Sequence, residues 1–494
     1  MLLKSLKLLI ILLITLLITL FSACRTSVKD DDWITGDDDK DAVDARELVG
    51  EKSSYKSQRF ESNTVREGDS ISFEKQDKSL ESKKPISLID AGKTTPHPIW
   101  EESSRQTKNV LVVLPLTGEL ETIGKKIKNA IVKVNQELEE PFNLAFFDTQ
   151  SNMYEKKGEL YDFVIKNDIK FIIGGLQSQD TKDIVEVAGI KNILVFSLSP
   201  NSKLALEHKN LYIQSITPEN IAYSVVKYAI EKKHFRKFAI FYPYTEIGME
   251  YYYYFKYYVD YMGAEITKEV IFNPKANNLD KPISKLVERD NPYKRPDFQK
   301  YLRHARTISN PYRKKHYLEI SKLKLKPIFD YDAIFLPISD RKINYIIPIL
   351  ASWDLPLKTN NQRLMEQVYH KYLNKHQKYV QVFGTPFWYN ENIFNDNSPY
   401  INGSIFPSPY NIDLENESNP FVVLFKNEII EKKSLIYEAL IYDMVNIMYY
   451  VFEKKEDIKT YDGVMGAYFL YKNQFFKDFG MAIIHENRIY TYAE

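Results

Sequence analysis

Five residues with hydroxyl or amide side chains stand directly after short apolar runs: Thr117, Gln177, Ser178, Ser197 and Ser199. Groups of this kind orient a small polar ligand by hydrogen bonding. The runs that carry them are VLVVLP (110–115), IKFIIGG (169–175) and NILVF (192–196). Asp148 ends a fourth run, LAFFD, where a catalytic acid could also stand, but Thr149 and Ser151 beside it make a turn cap the simpler reading. No G-x-S-x-G elbow, H-E-x-x-H pair or P-loop occurs, and the histidines are scattered without ligand-like spacing. The pattern points to binding rather than catalysis, with no metal and no cofactor.

The elements that must position these groups follow from periodicity. Ile123, Ile127, Ala130, Ile131 and Val134 fall on one face of a helix, and further helix-period segments separate the other apolar runs. Apolar runs alternating with such helices give a parallel sheet with crossovers, whose binding crevice lies at the C-terminal ends of the strands. The same rhythm continues through LYIQSITPEN and KFAIFYPYTEIG, and then through EYYYYFKYYVDYMG, a helix ending at Gly263. Its tyrosines circle the axis, which suits packing between domains or contact with carbohydrate or a partner. Asn291 to Pro327 interrupts the rhythm with 11 Lys and Arg against two acidic residues. It reads as a solvated helical insertion, or as a surface for anionic glycan or lipid head groups. Strand-like runs resume at YDAIFLPIS, YVQVFGTPFW and INGSIFPSPY. A helix over Glu438 to Lys454 follows, then short strands with a turn at Glu486-Asn487.

The chain has 494 residues and a formal charge of +1, which leaves no global case for nucleic acid. Met1 to Phe21 begins with Lys4 and Lys7 and is then apolar. Ser22, Ala23 and Cys24 supply small residues and the sole cysteine, so no internal disulfide can form. The stretch resembles a bacterial lipoprotein signal peptide (1–23), with F-S-A-C making Cys24 the lipidated first residue of the mature chain. The alternative is a retained anchor with an incidental cysteine. Residues 24–105 read as a disordered tether with an Asp-rich block that lacks the calcium-loop pattern. Arg25 and Thr26 offer no acidic retention signal, which favours an outer-membrane anchor facing the periplasm.

In this order and spacing, LPLTGELETIGKKIKNAI, LAFFDTQ, FIIGGLQS, ILVFSLSPNSKL, FAIFYPYTEIG, VFGTPFW, YEALIYDMVNIM and AIIHENRIY resemble the type I periplasmic-binding-protein family, the group of the leucine/isoleucine/valine-binding protein. The nearest branch is the one holding an outer-membrane lipoprotein that activates a peptidoglycan synthase. The resemblance implies two α/β lobes, parallel sheets flanked by helices, joined by three crossovers around a ligand cleft. Its layout implies lobe one over 106–216 and 331–410, and lobe two over 217–330 and 411–494. It makes Ser178 the carboxylate-holding serine and Ser197 to Pro200 the second carboxylate loop. The family's clamp tyrosine is Ile247 here, and its ammonium-gripping acid falls near Pro386. Two functions follow as expectations: a receptor for a small polar ligand serving a transporter or sensor, or a tethered envelope protein that regulates a peptidoglycan synthase.

Overall fold

A computed structural model describes residues 108–366, 379–390, 393–394, 398–430, 434–454, 460–471 and 473–491. The expected signal peptide, Cys24 and the tether lie outside the described residues.

The first sheet is built from β1 (Asn109–Leu114), β2 (Asn143–Asp148), β3 (Phe171–Gly174), β4 (Leu194–Ser197) and β5 (Leu211–Ile213), all parallel. The helices α1 (Glu121–Gln136), α2 (Met153–Lys166) and α3 (Ser178–Gly189) make the crossovers. After β5 the chain passes through α4 (Pro218–Glu231) into a second sheet. This opens with β6 (Lys237–Pro243), α5 (Glu246–Tyr261), β7 (Glu265–Phe272) and α6 (Asp280–Leu286). A helical hairpin, α7 (Gln299–Ala305) and α8 (Pro311–Leu323), precedes β8 (Ala333–Phe335). Then come α9 (Asp340–Ser352), β9 (Gln381–Phe383) and β10 (Ile405–Pro407). The long helix α10 (Ile436–Lys454) leads to β11 (Thr460–Gly463), β12 (Gly466–Tyr471), β13 (Gln474–Asp478), β14 (Met481–His485) and β15 (Arg488–Thr491).

Strand order corrects the expected division into lobes. The first sheet runs β11-β12-β13-β5-β4-β3-β1-β2 and the second β15-β14-β10-β9-β8-β6-β7. Residues 331–410 therefore belong to the second lobe, because β8 pairs directly with β6 and β9 with β8. The C-terminal segment returns to the first lobe through β11 to β13, and only β14 and β15 rejoin the second. Consecutive βαβ units stay adjacent in one sheet, whereas the apolar pattern of YDAIFLP says nothing about which sheet it joins. The chain crosses three times, at residues 214–217, 408–411 and 479–480.

These crossings lie side by side. Ser408 N donates to Gly480 O at 2.7 Å, and Phe479 N donates to Ser224 Oγ at 3.0 Å. Helix α4 sits against them and is nearly enclosed: Ile221, Ala222, Val225, Val226 and Ala229 are fully buried. One continuous apolar cluster runs from Val110 and Ile131 through α4 to Phe238, Phe255 and Phe335 of the second lobe. The tyrosine-rich helix α5 joins this seam by placing Tyr251, Tyr254 and Tyr258 inward at helical spacing, leaving Tyr261 exposed.

Helix α10 is fastened to the first sheet by a buried carboxylate. Asp443 accepts from Val464 N at 2.7 Å, Met465 N at 3.0 Å and Tyr468 Oη at 2.9 Å. Lys477, also buried, lies 4.2 Å from the Phe479 ring centroid and has Asp443 as its counter-charge. Burial pushes the Asp443 carboxyl up and the Lys477 ammonium down, and each charge opposes the shift of the other. Asp443→Ala strands two backbone donors and a buried cation, so the expected loss in urea unfolding is about 3–5 kcal/mol. The double variant Asp443→Leu, Lys477→Met should lose much less, because no uncompensated charge remains inside.

Candidate functional site

The loops at the C-terminal ends of the parallel strands form one rim in each lobe. In the first lobe, the loop after β1 is held by the last residue of β2. Asp148 accepts from Leu116 N (2.8 Å), Thr117 N (3.2 Å), Thr117 Oγ1 (2.7 Å) and Gln150 N (2.9 Å). Burial would raise its pKa, but these hydrogen bonds outweigh that and hold it below the usual carboxylate range. Asp148 thus caps its own turn and also ties down its neighbour's. Thr117 is exposed, with its hydroxyl proton committed to Asp148 and its oxygen lone pairs open to a ligand donor.

The next two loops separate the remaining candidates. Ser197 and Ser199 are completely buried. Ser197 Oγ lies 2.9 Å from Thr181 Oγ1 and 3.1 Å from Gly175 O, and it accepts from Ser199 N at 3.0 Å. Ser199 Oγ accepts from Asn201 N at 3.2 Å. Ser197 ties its loop to the one before α3, whereas Ser199 braces its own loop. Gln177 and Ser178 are only half-buried, and Ser178 begins α3. Gln177 occupies the N-cap without a side-chain capping bond, so the first-turn amides and the Ser178 hydroxyl face the rim uncapped. Thr117 is thus exposed and Gln177 and Ser178 partly so, whereas Ser197 and Ser199 are buried.

Asp180, in the first turn of α3, is buried with its carboxyl near Met153 N at the start of α2. Burial, with the Asp183 charge adding to it, pushes its carboxyl up to about 6.

The second rim repeats one device of the first. Gly124 and Gly248, early in α1 and α5, stand where any Cβ would collide with the carbonyl oxygen of Pro115 or Pro243 at the preceding strand end. Only glycine lets helix and strand approach so closely. Ile247 is half-buried. The GTPFW loop is closed by its own indole: Trp388 is fully buried, covers Gly384 and donates from Nε1 to Ile338 O at 2.8 Å. Pro386 is buried with it, and Phe387 and Tyr389 are left partly open. The acid near this loop, Asp340, accepts from Asn390 Nδ2 at 2.9 Å.

Sequence reading missed a polar seat between the lobes. Ser202 Oγ donates to Glu219 Oε2 at 3.2 Å and lies 3.3 Å from Tyr254 Oη, while Tyr258 Oη donates to Glu219 Oε1 at 3.3 Å. Beside it, Lys203 Nζ is 3.6 Å from Glu250 Oε1. Burial pushes Glu250 up to about 6 against the opposing charge of Lys203. The motif SPNSK and the start of α4, TPEN, were the only local signals. Their meeting depends on the first crossing, which periodicity does not show. Among the described residues no group of three or more His, Cys, Asp or Glu side chains could hold a metal ion.

Solved structures share this architecture. A putative branched-chain amino acid ABC transporter protein from Rhodospirillum rubrum superposes with a TM-score of 0.57 at 14% identity, over 78% of this chain and 100% of that one. The fold is that of the type I periplasmic binding proteins. Full-length LpoA from Haemophilus influenzae gives a TM-score of 0.52 at 13% identity, over 81% of this chain and 62% of that one. The LpoA C-domain, described as a regulator of PBP1A, gives 0.50 at 15%, over 78% and 100%. No protein-family model and no curated protein matches the chain.

The Asp180 geometry yields a pH test. Its folded pKa lies above the usual value of 3.8, so its favourable contribution is complete below that value and is lost as pH rises through about 6. Asp180→Asn keeps an oxygen acceptor for Met153 N and removes the charge. Thermal unfolding should show the variant more stable than wild type at pH 7.5, by up to about 3 kcal/mol. That gain should shrink toward zero at pH 4.

Proposed function

We propose that the chain is a non-catalytic, lipid-anchored cell-envelope protein whose body binds a small polar ligand between the two rims. The observation that carries this reading is the uncapped start of α3, where Ser178 and free backbone amides meet at the open edge of the first lobe. A helix N-terminus favours a carboxylate or similar anion. Thr117 adds an acceptor, and Phe387 and Tyr389 give the opposite rim an apolar, aromatic wall. The loop around Pro386 presents no carboxylate, and a buried ammonium without one is costly. With Pro386 where the resemblance expects an acid, and the nearby Asp340 already engaged by Asn390 Nδ2 at 2.9 Å, a small acid without an α-ammonium group fits better than a standard amino acid. Anchoring rests on the F-S-A-C box, and the lack of an acidic retention signal at Arg25 and Thr26 favours the outer membrane facing the periplasm; delivery to a transporter or sensor is the matching role.

A second reading is favoured by one observation. Ser197 and Ser199, which the family resemblance places in the second carboxylate loop, are locked inside. A body with two of its five candidate ligand residues buried suits an envelope interaction protein, and the likeness to LpoA makes a peptidoglycan synthase the partner to test.

A thermal-shift screen of the purified chain against amino acids, small carboxylic acids, nucleosides and muropeptides separates the two. The expected outcome is that an acid lacking an ammonium raises the melting temperature, as a ligand at 100 times its Kd stabilises by about 2.7 kcal/mol. Ser178→Ala should abolish that shift without lowering the ligand-free melting point. If no compound shifts wild type and a pull-down recovers a peptidoglycan synthase, the second reading replaces the first.

A further inference from the structure

The segment 291–327 carries a net charge of +9, with 11 basic and two acidic residues, so the rest of a chain whose total is +1 stands at −8. The structure shows where that charge is held. Arg295 is buried and paired with Asp297 at 2.6 Å, and Lys322 is paired with Glu319 at 2.8 Å. These two pairs use both acidic residues of the segment. The other nine Lys and Arg are exposed, Arg303, Arg306, Arg313, Lys314 and Lys315 among them, and none is paired with a carboxylate among the described residues. Unneutralised like charges concentrated on one element repel one another, and a partner of opposite sign relieves that repulsion.

Placement narrows the partner. The hairpin α7–α8 is tied back where the chain approaches the N-terminal ends of the strands. Ile328 N donates to Val287 O at 3.0 Å, Arg295 Nη2 donates to Lys326 O at 2.7 Å, and Asp332 N donates to Lys237 O at 2.7 Å at the start of β6. The rims lie at the opposite ends of the strands, so the hairpin occupies the far pole of the second lobe. Residues 309–316 are exposed without a break, so the first turns of α8 stand clear of the body on every side. This is a projecting surface, not a groove for an extended strand. Tyr312 is 82% exposed and Tyr293 50% exposed among the cations. Tyrosine beside lysine and arginine is the composition that settles at lipid headgroup depth. Among the described residues no helix is long and apolar enough to cross a membrane.

We propose that the α7–α8 hairpin docks the far pole of the second lobe onto anionic phospholipid headgroups, leaving the rims free for ligand. Each cation near an anionic surface strengthens binding appreciably, and the effect is screened by salt.

The test compares wild type with the triple variant Arg313→Gln, Lys314→Gln, Lys315→Gln, both begun at Arg25 so that the proposed acyl anchor at Cys24 adds no binding of its own. Co-sedimentation is measured with phosphatidylcholine vesicles, with and without one-third phosphatidylglycerol, at low and high salt. Wild type should prefer the anionic vesicles, and high salt should erase the preference. The triple variant should lose on the order of 100-fold in that preference, with an unchanged melting temperature showing that it folds. Equal binding of wild type to both vesicles overturns the proposal, as does a variant that keeps the preference. Salt-sensitive binding to a soluble anionic polysaccharide without any vesicle preference also overturns it and assigns the patch to glycan.

Discussion

Burial of α4 between the two sheets is the constraint on which the rest of the molecule depends. A helix that follows the first crossing would ordinarily show one face to solvent. Here Ile221, Ala222, Val225, Val226 and Ala229 are all enclosed. Tyr223 packs edge-on against Phe476 of β13 with centroids 5.5 Å apart, and Lys227 pairs with Asp478 at 2.5 Å. On its other side α4 lies along α5. Burying an aliphatic side chain contributes about 1.5–3 kcal/mol, so this one helix commits both lobes to a shared core. The lobes are joined by a packed seam as well as by three strands of chain.

That seam explains how polar groups are distributed near the crossings. A buried carboxylate is tolerated where donors surround it, and Glu219, at the first turn of α4, receives hydroxyls from Ser202 on one lobe and Tyr258 on the other. Asp443 has the same role in the neighbouring layer, where it holds α10 against the hairpin of β11 and β12. Away from the seam, the rims are kept in shape by short loop-to-loop ties such as Asp148 to Thr117 and Ser197 to Thr181.

Much of this was legible in the sequence, for identifiable reasons. Each parallel strand is a continuous apolar run ended by small or polar residues, so β1, β3, β4, β6 and β8 were visible individually. The final hairpin was visible too, since Glu486 and Asn487 take the positive φ values, 48° and 58°, that such a turn needs. Sheet membership was not readable, because β8 to β10 look alike whichever lobe they join. Nor was the direction of a strand-end side chain: Ser197 and Ser178 have the same chemistry, and only the packing of Thr181 between loops turns Ser197 inward. The Ser202–Glu219 seat required long-range topology.

Hydrogen exchange across α4 tests the shared seam most directly. If α4 is the common core of both lobes, its amides from Ile221 to Ile230 should exchange only through global unfolding, as slowly as those of β1 and β6. Protection in β13 and β14 should match it, since those strands flank the third crossing. Exchange of α4 within seconds, while both sheets remain protected, would mean that the lobes are linked by a loose hinge and that the shared core described here does not exist.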